Sequence, residues 1–294
     1  MKKIDRRFFL KAMGVTAATL AVGIDKSEAG NAINTGELPE LKGILYDSVK
    51  CEGCYGCEYD CAWQHELTEP GEIDDTVIRK TDDTRRTVVN LYQTSKGPVY
   101  VKKQCMNCND PACGAACLTQ AMHKTKDGSV IWREDKCMGC RYCMISCPYD
   151  MPKFEYHSTN PKIQKCDMCY VLQNEGEEPA CAYNCPNGAL LFGTRRELIA
   201  EANKRIAENP EVYYPHIYGE HEAGGSSWMY LSPVPFEELG FNTNIQNKSY
   251  PSLTKGFISS IAPVDILLPA VLLGIYEATK KDKSTQNMEE GQNE

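Results

Sequence analysis

The chain has 294 residues, 42% of them hydrophobic, with a formal charge of -8 and a mean hydropathy of -0.45. That length holds one large or two modest domains. The hydropathy excludes a polytopic membrane protein, and the acidic balance argues against nucleic acid, whose phosphates need a basic surface.

The N-terminus, "MKKIDRRFFLKAMGVTAATLAVG", opens with a basic stretch containing Arg6 and Arg7, then "FFLK" and a mildly apolar run. This order of regions predicts a twin-arginine (Tat) export signal over residues 1–29, cleaved after Ala29, with Ala32 as the other cleavage candidate. An N-terminal amphipathic helix of the mature protein is the competing reading. Residues 30–42 read as a linker.

The chain holds sixteen cysteines, and they fall into four runs with none left over. The runs are Cys51, Cys54, Cys57 and Cys61; Cys105, Cys108, Cys113 and Cys117; Cys137, Cys140, Cys143 and Cys147; and Cys166, Cys169, Cys181 and Cys185. Disulfide frameworks scatter their cysteines so that each bridge closes a loop, and a third thiol packed into C-x2-C-x2-C serves no such purpose. Zinc ribbons pair two C-x2-C knuckles across a longer gap. The stretch "CMGCRYCMISCP" (137–148) instead has the C-x2-C-x2-C-x3-C-Pro spacing of a ferredoxin-type [4Fe–4S] site. Three thiolates two residues apart let one tight loop reach three iron corners, and the fourth cysteine ligates the other cluster of a pair. Pro148 and Pro186 directly follow their cysteines, where a fixed φ and a missing N–H suit a turn. Runs one and two have Ala62 and Leu118 there instead.

Between the runs, "GPVYVKKQC" and "GSVIWREDKC" predict short strands leading into cysteine loops. "DPACGAAC" and "EPACAYNC" place a proline just before the later cysteines, as turn chemistry favours. Residues 62–96 read as a polar insertion with short strands. After run four, "GALLFG" is strand-like and "TRRELIAEANKRIAENP" is helical. Thr194 and Glu197 have capping-box spacing there, Asn209-Pro210 ends the helix, and Leu198, Ala202 and Ile206 line one face. From Glu211 to Tyr250 aromatic residues and Gly/Pro dominate, including Tyr213, Tyr214, Tyr218, Trp228, Tyr230 and Phe236. Two readings stay open for them: an extension that docks a partner, or an irregular segment packed on its own domain.

"GFISSIAPVDILLPAVLLGIY" (Gly256 to Tyr276) carries one charge, Asp265, and as a helix spans roughly 31 Å, about a bilayer core. With "KKDK" (280–283) held inside, it predicts a single transmembrane anchor. An interfacial or subunit-packing helix is the alternative, favoured by Pro263 and Pro269, which kink helices. Asp265 is expected to meet a partner subunit or to snorkel at the outer surface. The tail beyond Lys283 has a disordered composition. No cysteine pair is followed by His, and His65, His123, His157, His216 and His221 show no metal spacing. Neither a phosphate loop nor a nucleophile elbow occurs. Every candidate site is therefore a cluster ligand, and such a chain moves electrons without transforming a substrate.

The segment from about Gly43 to Gly193 resembles the four-cluster iron–sulfur subunits of molybdopterin oxidoreductase and membrane hydrogenase complexes. The near end-to-end pattern is most similar to the exported iron–sulfur subunits of respiratory [NiFe] uptake hydrogenases of the hydrogenase-2 type. It is carried by "GILYDSVKCEGC", "YVKKQCMNC", "CMGCRYCMISCPYDMPKFEY", "LLFGTRRELIAEANKRI", "YYPHIYGE" and the terminal apolar segment. The resemblance implies crossed ligand sets: Cys51, Cys54, Cys57 and Cys185; Cys166, Cys169, Cys181 and Cys61; Cys105, Cys108, Cys113 and Cys147; Cys137, Cys140, Cys143 and Cys117. Some relatives replace one cysteine and hold a [3Fe–4S] cluster; none is replaced here, so four [4Fe–4S] clusters are expected. The implied fold is α+β, with tandem two-[4Fe–4S] ferredoxin-like domains over 43–193 (insertion 62–96). A helix and aromatic-rich periplasmic extension over 194–253 follows, then one C-terminal transmembrane helix over 254–278 and a disordered cytoplasmic tail over 279–294. The implied role is a non-catalytic relay on the periplasmic side of the membrane. It joins a catalytic oxidoreductase, a [NiFe] hydrogenase, to a polytopic quinone-interacting membrane subunit. The same relay in a formate dehydrogenase, polysulfide reductase or cytochrome c–quinone oxidoreductase is the alternative. A soluble stand-alone ferredoxin and a zinc or disulfide scaffold are the readings from other classes.

Overall fold

The computed structural model describes residues 40–290; the export signal expected over 1–29 and nearly all of the linker lie outside the described residues. In chain order the first elements are strand β1 (Lys42–Asp47), helix α1 (Gly56–Gln64) and strands β2 (Thr87–Thr94) and β3 (Gly97–Gln104). Helix α2 (Ala112–Ala115), strands β4 (Met122–Lys124) and β5 (Val130–Trp132), and helix α3 (Tyr142–Ile145) come next. Strands β6 (Lys153–Phe154) and β7 (Ile163–Gln164) precede helices α4 (Tyr170–Asn174) and α5 (Ala180–Tyr183). Strand β8 (Leu190–Thr194), helix α6 (Arg195–Glu208), strand β9 (Trp228–Leu231) and helix α7 (Tyr250–Glu290) complete the series. Among the described residues, those from Glu40 to Thr254 belong to one compact unit, and those from Lys255 on belong to another.

Strand β1 pairs antiparallel with β8 and parallel with β9. Because β1 leads into Cys51 and β8 leaves Cys185, this pairing brings the first and last cysteine runs together across most of the sequence. Alternation of side chains gives the sheet two working faces. Ile44 and Tyr46, with Trp228 and Tyr230, enter a core that includes Cys181 and packs against Cys51, Cys57, Cys166 and Cys185. Leu45, Met229 and Leu231 join Leu198 and Ala202 of α6 in a second cluster, with Ile206 against it. The α6 ends follow the sequence: the Glu197 N–H donates to Thr194 Oγ1, and Asn209 closes the helix. At the end of β1, fully buried Asp47 accepts from Arg205 Nη1 (2.9 Å) and Tyr213 Oη (2.8 Å).

The expected insertion 62–96 turns out to be partly core. Residues 62–64 finish α1, and β2 pairs with β3 along its whole length, burying Val88 and Val89. Arg79 anchors the loop before β2 through two bonds to buried Glu58 of α1, at 2.8 and 2.6 Å, and Glu58 also accepts from the Val89 N–H. Its polar composition disguised this, because the loop is fastened by an ion pair rather than by apolar contacts. Of the two readings for the aromatic segment, the structure supports packing on its own domain. Tyr213, Tyr218, Trp228, Tyr230 and Phe236 are all buried, and Tyr218 meets the Phe241 ring edge-on at 4.7 Å.

Helix α7 contains an apolar stretch, Tyr250–Glu277, of 28 residues, long and apolar enough to cross a membrane; at 1.5 Å per residue it measures about 42 Å. It continues as one helix through Pro263 and Pro269. Each proline lacks an N–H, which leaves the carbonyls of Ser259 and Asp265 without their intrahelical donor. The helix extends to Glu290, into the stretch whose composition reads as disordered. Lys, Gln, Met and Glu are good helix formers, so a preceding helix propagates readily through that composition.

Removing the Asp47 carboxylate strands a buried guanidinium and the Tyr213 hydroxyl. Asp47→Ala is expected to cost about 3–5 kcal/mol, read as a lowered thermal unfolding midpoint, with Tyr213→Phe costing less. A pH signature follows from His216, whose Nε2 lies 2.7 Å from Glu222 Oε1. That hydrogen bond, against opposing burial, raises the His216 pKa above its ordinary value. The protonated pair therefore stabilises fully below the unfolded-state value of about 6.5, and the contribution disappears as pH rises through the elevated folded value. The gap in unfolding temperature between wild type and His216→Gln is expected to be widest near pH 6 and to shrink towards pH 9; a pH-independent gap would refute the linkage.

Candidate functional site

The four cysteine runs follow one backbone path. The residue before the second cysteine has a positive φ in every run: Gly53 (70°), Asn107 (49°), Gly139 (72°) and Met168 (57°). A left-handed residue there bends the chain between the first two cysteines. Glycine adopts that conformation freely and asparagine with little strain, whereas methionine does so only under constraint. The third cysteine is the second residue of a helix each time: Cys57 in α1, Cys113 in α2, Cys143 in α3 and Cys181 in α5. Pro111 and Pro179, expected as turn residues ahead of the later cysteines, sit at the N-caps of the short helices α2 and α5.

Beyond the fourth cysteine, runs two, three and four close with the same turn. The N–H groups of Gln120, Asp150 and Gly188 donate to the carbonyls of Cys117, Cys147 and Cys185 at 3.0, 3.3 and 3.2 Å, and all three donors have positive φ. Leu118 in place of proline leaves the turn of run two unchanged. Run one departs: Cys61 lies inside α1, which runs on through Ala62 to Gln64.

Electrostatic neighbours show which thiols the fold gathers. Burial is the largest influence raising Cys51, followed among thiols by Cys54 and Cys185; Cys57 in turn is raised by burial, then by Cys181 and Cys51. After burial, Cys61 is raised by Cys166, Cys181 and Cys169. Cys108 has Cys105, Cys147 and Cys113 as neighbours, and Cys143 has Cys137, Cys117 and Cys140. Each gathering draws on two runs: one with four, and two with three. Links between gatherings form a line. Cys57 neighbours Cys181, Cys166 neighbours Cys105, and Cys113 neighbours Cys143. The exposed cysteines are Cys54 and Cys140, one at each end of that line.

These thiols suit a metal group better than disulfides or single ions. Cys105, Cys108, Cys113 and Cys147 wall one cavity together with Val130 and Tyr149. Four soft donors around an apolar space, one for each iron, are the donor set of an iron–sulfur cube. Burial first, then neighbouring thiols, pushes Cys143 and Cys147 up to about 11 and Cys113 up to about 12. Loading must therefore displace bound protons, and the metal supplies the positive charge that the buried thiolates lack. Cys117 moves the other way. Burial raises it, but the Met122 N–H (3.4 Å) and the Thr119 hydroxyl (3.7 Å) outweigh that and lower its pKa.

Sequence reasoning missed several groups beside the sulfurs. His65 Nε2 lies 3.6 Å from Cys169 Sγ and 3.5 Å from Asp167 Oδ1. Buried Lys102 and Lys165 sit between cysteine runs, and half-buried Lys124 donates to the Asn107 and Gly128 carbonyls. No local motif marks His65 or Lys102, because His65 meets Cys169 and Lys102 meets Thr87 and Trp228 far along the chain.

Comparison with known proteins fits this geometry. A family model described as a 4Fe–4S dicluster domain matches residues 98–195. The chain is 40% identical over 289 residues to a protein of Nitratidesulfovibrio vulgaris (strain Hildenborough), covering 95% of this chain and 78% of that one. It is 36% identical over 273 residues to the hydrogenase-2 operon protein HybA of Escherichia coli O157:H7, covering 80% of this chain and 83% of that one. It is 28% identical over 266 residues to the nitrate-inducible formate dehydrogenase iron-sulfur subunit of Escherichia coli (strain K12), covering 85% and 89% respectively. With its ferredoxin-like cysteine architecture, the chain belongs to the family of iron–sulfur electron-transfer subunits of respiratory oxidoreductases and is not itself a catalytic subunit.

Proposed function

We propose that the chain carries four [4Fe–4S] clusters as a linear relay between a periplasmic [NiFe] uptake hydrogenase and a quinone-reactive polytopic membrane subunit. The ligand sets are Cys51, Cys54, Cys57 and Cys185; Cys61, Cys166, Cys169 and Cys181; Cys105, Cys108, Cys113 and Cys147; and Cys117, Cys137, Cys140 and Cys143. The observation that carries the relay is the ordering of the thiols: four gatherings in a line, with an exposed cysteine only in the first and the last. When bound, each cluster takes up and releases one electron, with its potential set by burial, charge and hydrogen bonds to sulfur. The chain's own contribution is to hold the sulfurs and to leave the outer two sets the more accessible, through Cys54 and Cys140.

A hydrogenase as the catalytic partner is supported by the match to HybA over 83% of that protein. Tat export of residues 1–29, with α7 as a single-pass anchor, puts the cysteine domain on the periplasmic side in this reading. Cubane clusters are built in the cytoplasm, and Tat carries folded cargo, so the route suits a preloaded domain. The second reading is the same relay in a formate dehydrogenase, favoured by coverage of 89% of that iron-sulfur subunit.

Two experiments separate these claims. Anaerobic pull-down of the tagged chain from mildly solubilised membranes is expected to recover a nickel-containing large subunit and a polytopic partner. A molybdopterin subunit or a multihaem cytochrome in their place would overturn the hydrogenase assignment and leave the relay intact. Cys143→Ala is expected to lower the iron content of the purified chain by about a quarter, one cluster of four. Unchanged iron would sink the ligand assignment.

A further inference from the structure

Lys102, on strand β3, is 2% exposed, yet it carries an ammonium group into the interior. Its Nζ donates to Thr87 Oγ1 on the neighbouring strand and lies 5.2 Å from the centre of the Trp228 ring. No carboxylate pairs with it among the described residues. The other buried lysine near the sulfurs differs: Lys165 donates to the Val130 and Cys166 carbonyls. Lys124 likewise gives its protons to two backbone oxygens. An ammonium buried with one hydroxyl and one ring face is poorly compensated. Both of its contacts lie against cysteines: Trp228 shares a core with Cys181 that packs on Cys57 and Cys166, and Thr87 lines a small cavity with Cys61. These four sulfurs, thiolates once a cluster is bound, face the amine from α1, α5 and the start of run four.

We infer that Lys102 is a potential-setting residue whose buried positive charge raises the reduction potential of the cluster held by Cys61, Cys166, Cys169 and Cys181. The inference rests on the four-cluster reading. Three of the four sulfurs facing the amine belong to that set, and one, Cys57, belongs to the neighbouring set. Reduction adds one negative charge to a cluster. A fixed cation in a low-dielectric interior stabilises the reduced form more than the oxidised form. The effect therefore falls mainly on one cluster, more weakly on the set with Cys57, and not on the two sets built from runs two and three. The relay acquires a step in potential at its second position. Thr87 and Trp228 hold the amine in place for this: the hydroxyl takes one proton, and the ring face tolerates the charge.

The test is an EPR-monitored redox titration of the anaerobically purified full-length complex. The affected cluster is identified as the one lost in Cys61→Ser. Lys102→Met preserves the unbranched shape and removes the charge; Lys102→Arg preserves the charge and changes the shape. At the wild-type midpoint, Lys102→Met is expected to lower the reduced-to-oxidised ratio of that cluster about tenfold, the equivalent of about 59 mV for a one-electron couple. The neighbouring set shifts less, the remaining two stay unchanged, and Lys102→Arg returns near the wild-type ratio. Four unchanged midpoints in Lys102→Met would overturn the inference. If Lys102→Met fails to load that cluster, Lys102→Arg decides: retention with a near-wild-type midpoint supports a role for charge, and loss in both variants overturns it. Fewer than four cluster signals in the wild type would refute the four-cluster reading itself, before any Lys102 variant is compared.

Discussion

Every thiol gathering in this fold is shared by two cysteine runs, and the rest of the structure depends on that crossover. Run one reaches run four because β1 and β8 pair, and run two reaches run three through α2, α3 and the β4–β5 hairpin. The regular ladders are otherwise short: β6 and β7 have two residues each, and three of the cysteine-bearing helices have four. Elements that small do not persist alone, since helix nucleation is unfavourable and isolated hairpins are marginal. Their order comes from what joins the cysteines, with apolar packing around Tyr46, Trp228 and Tyr230 as the wall.

The same constraint explains the charged interior. Gathering thiolates in an apolar core concentrates negative charge once metal is bound, and the chain answers with Lys102 and Lys165, both nearly fully buried, and with Lys124 close by. The inner gatherings hold buried and half-buried cysteines, whereas Cys54 and Cys140, in the two outer gatherings, are exposed. Around Cys140 the side chains of Met138, Tyr142 and Ile145 are exposed as well. Electron transfer to and from a partner needs access to a cluster, and the two exposed cysteines lie in different gatherings.

Much of this was legible in the sequence where the physical signal is local. The Thr194 cap and the Leu198–Ala202–Ile206 stripe each depend on a few adjacent positions, and the structure has both as expected. The hidden parts depend on distant partners. Residues 87–94 are expected within a polar insertion with short strands, and the partner, β3, with which they form a full ladder is not part of that reading. The aromatic segment left partner docking and self-packing undecided until β9 was seen beside β1. His65 and Lys102 carried no signal at all, since their sulfur neighbours lie as far as a hundred residues away.

The central claim is that all sixteen cysteines serve four identical cubes. Iron and acid-labile sulfide content of the anaerobically purified full-length chain, with its Mössbauer spectrum, tests this most directly. The account predicts about sixteen irons and as many sulfides per chain, all in four-iron clusters. About eight irons, a three-iron cluster or bound zinc would contradict it.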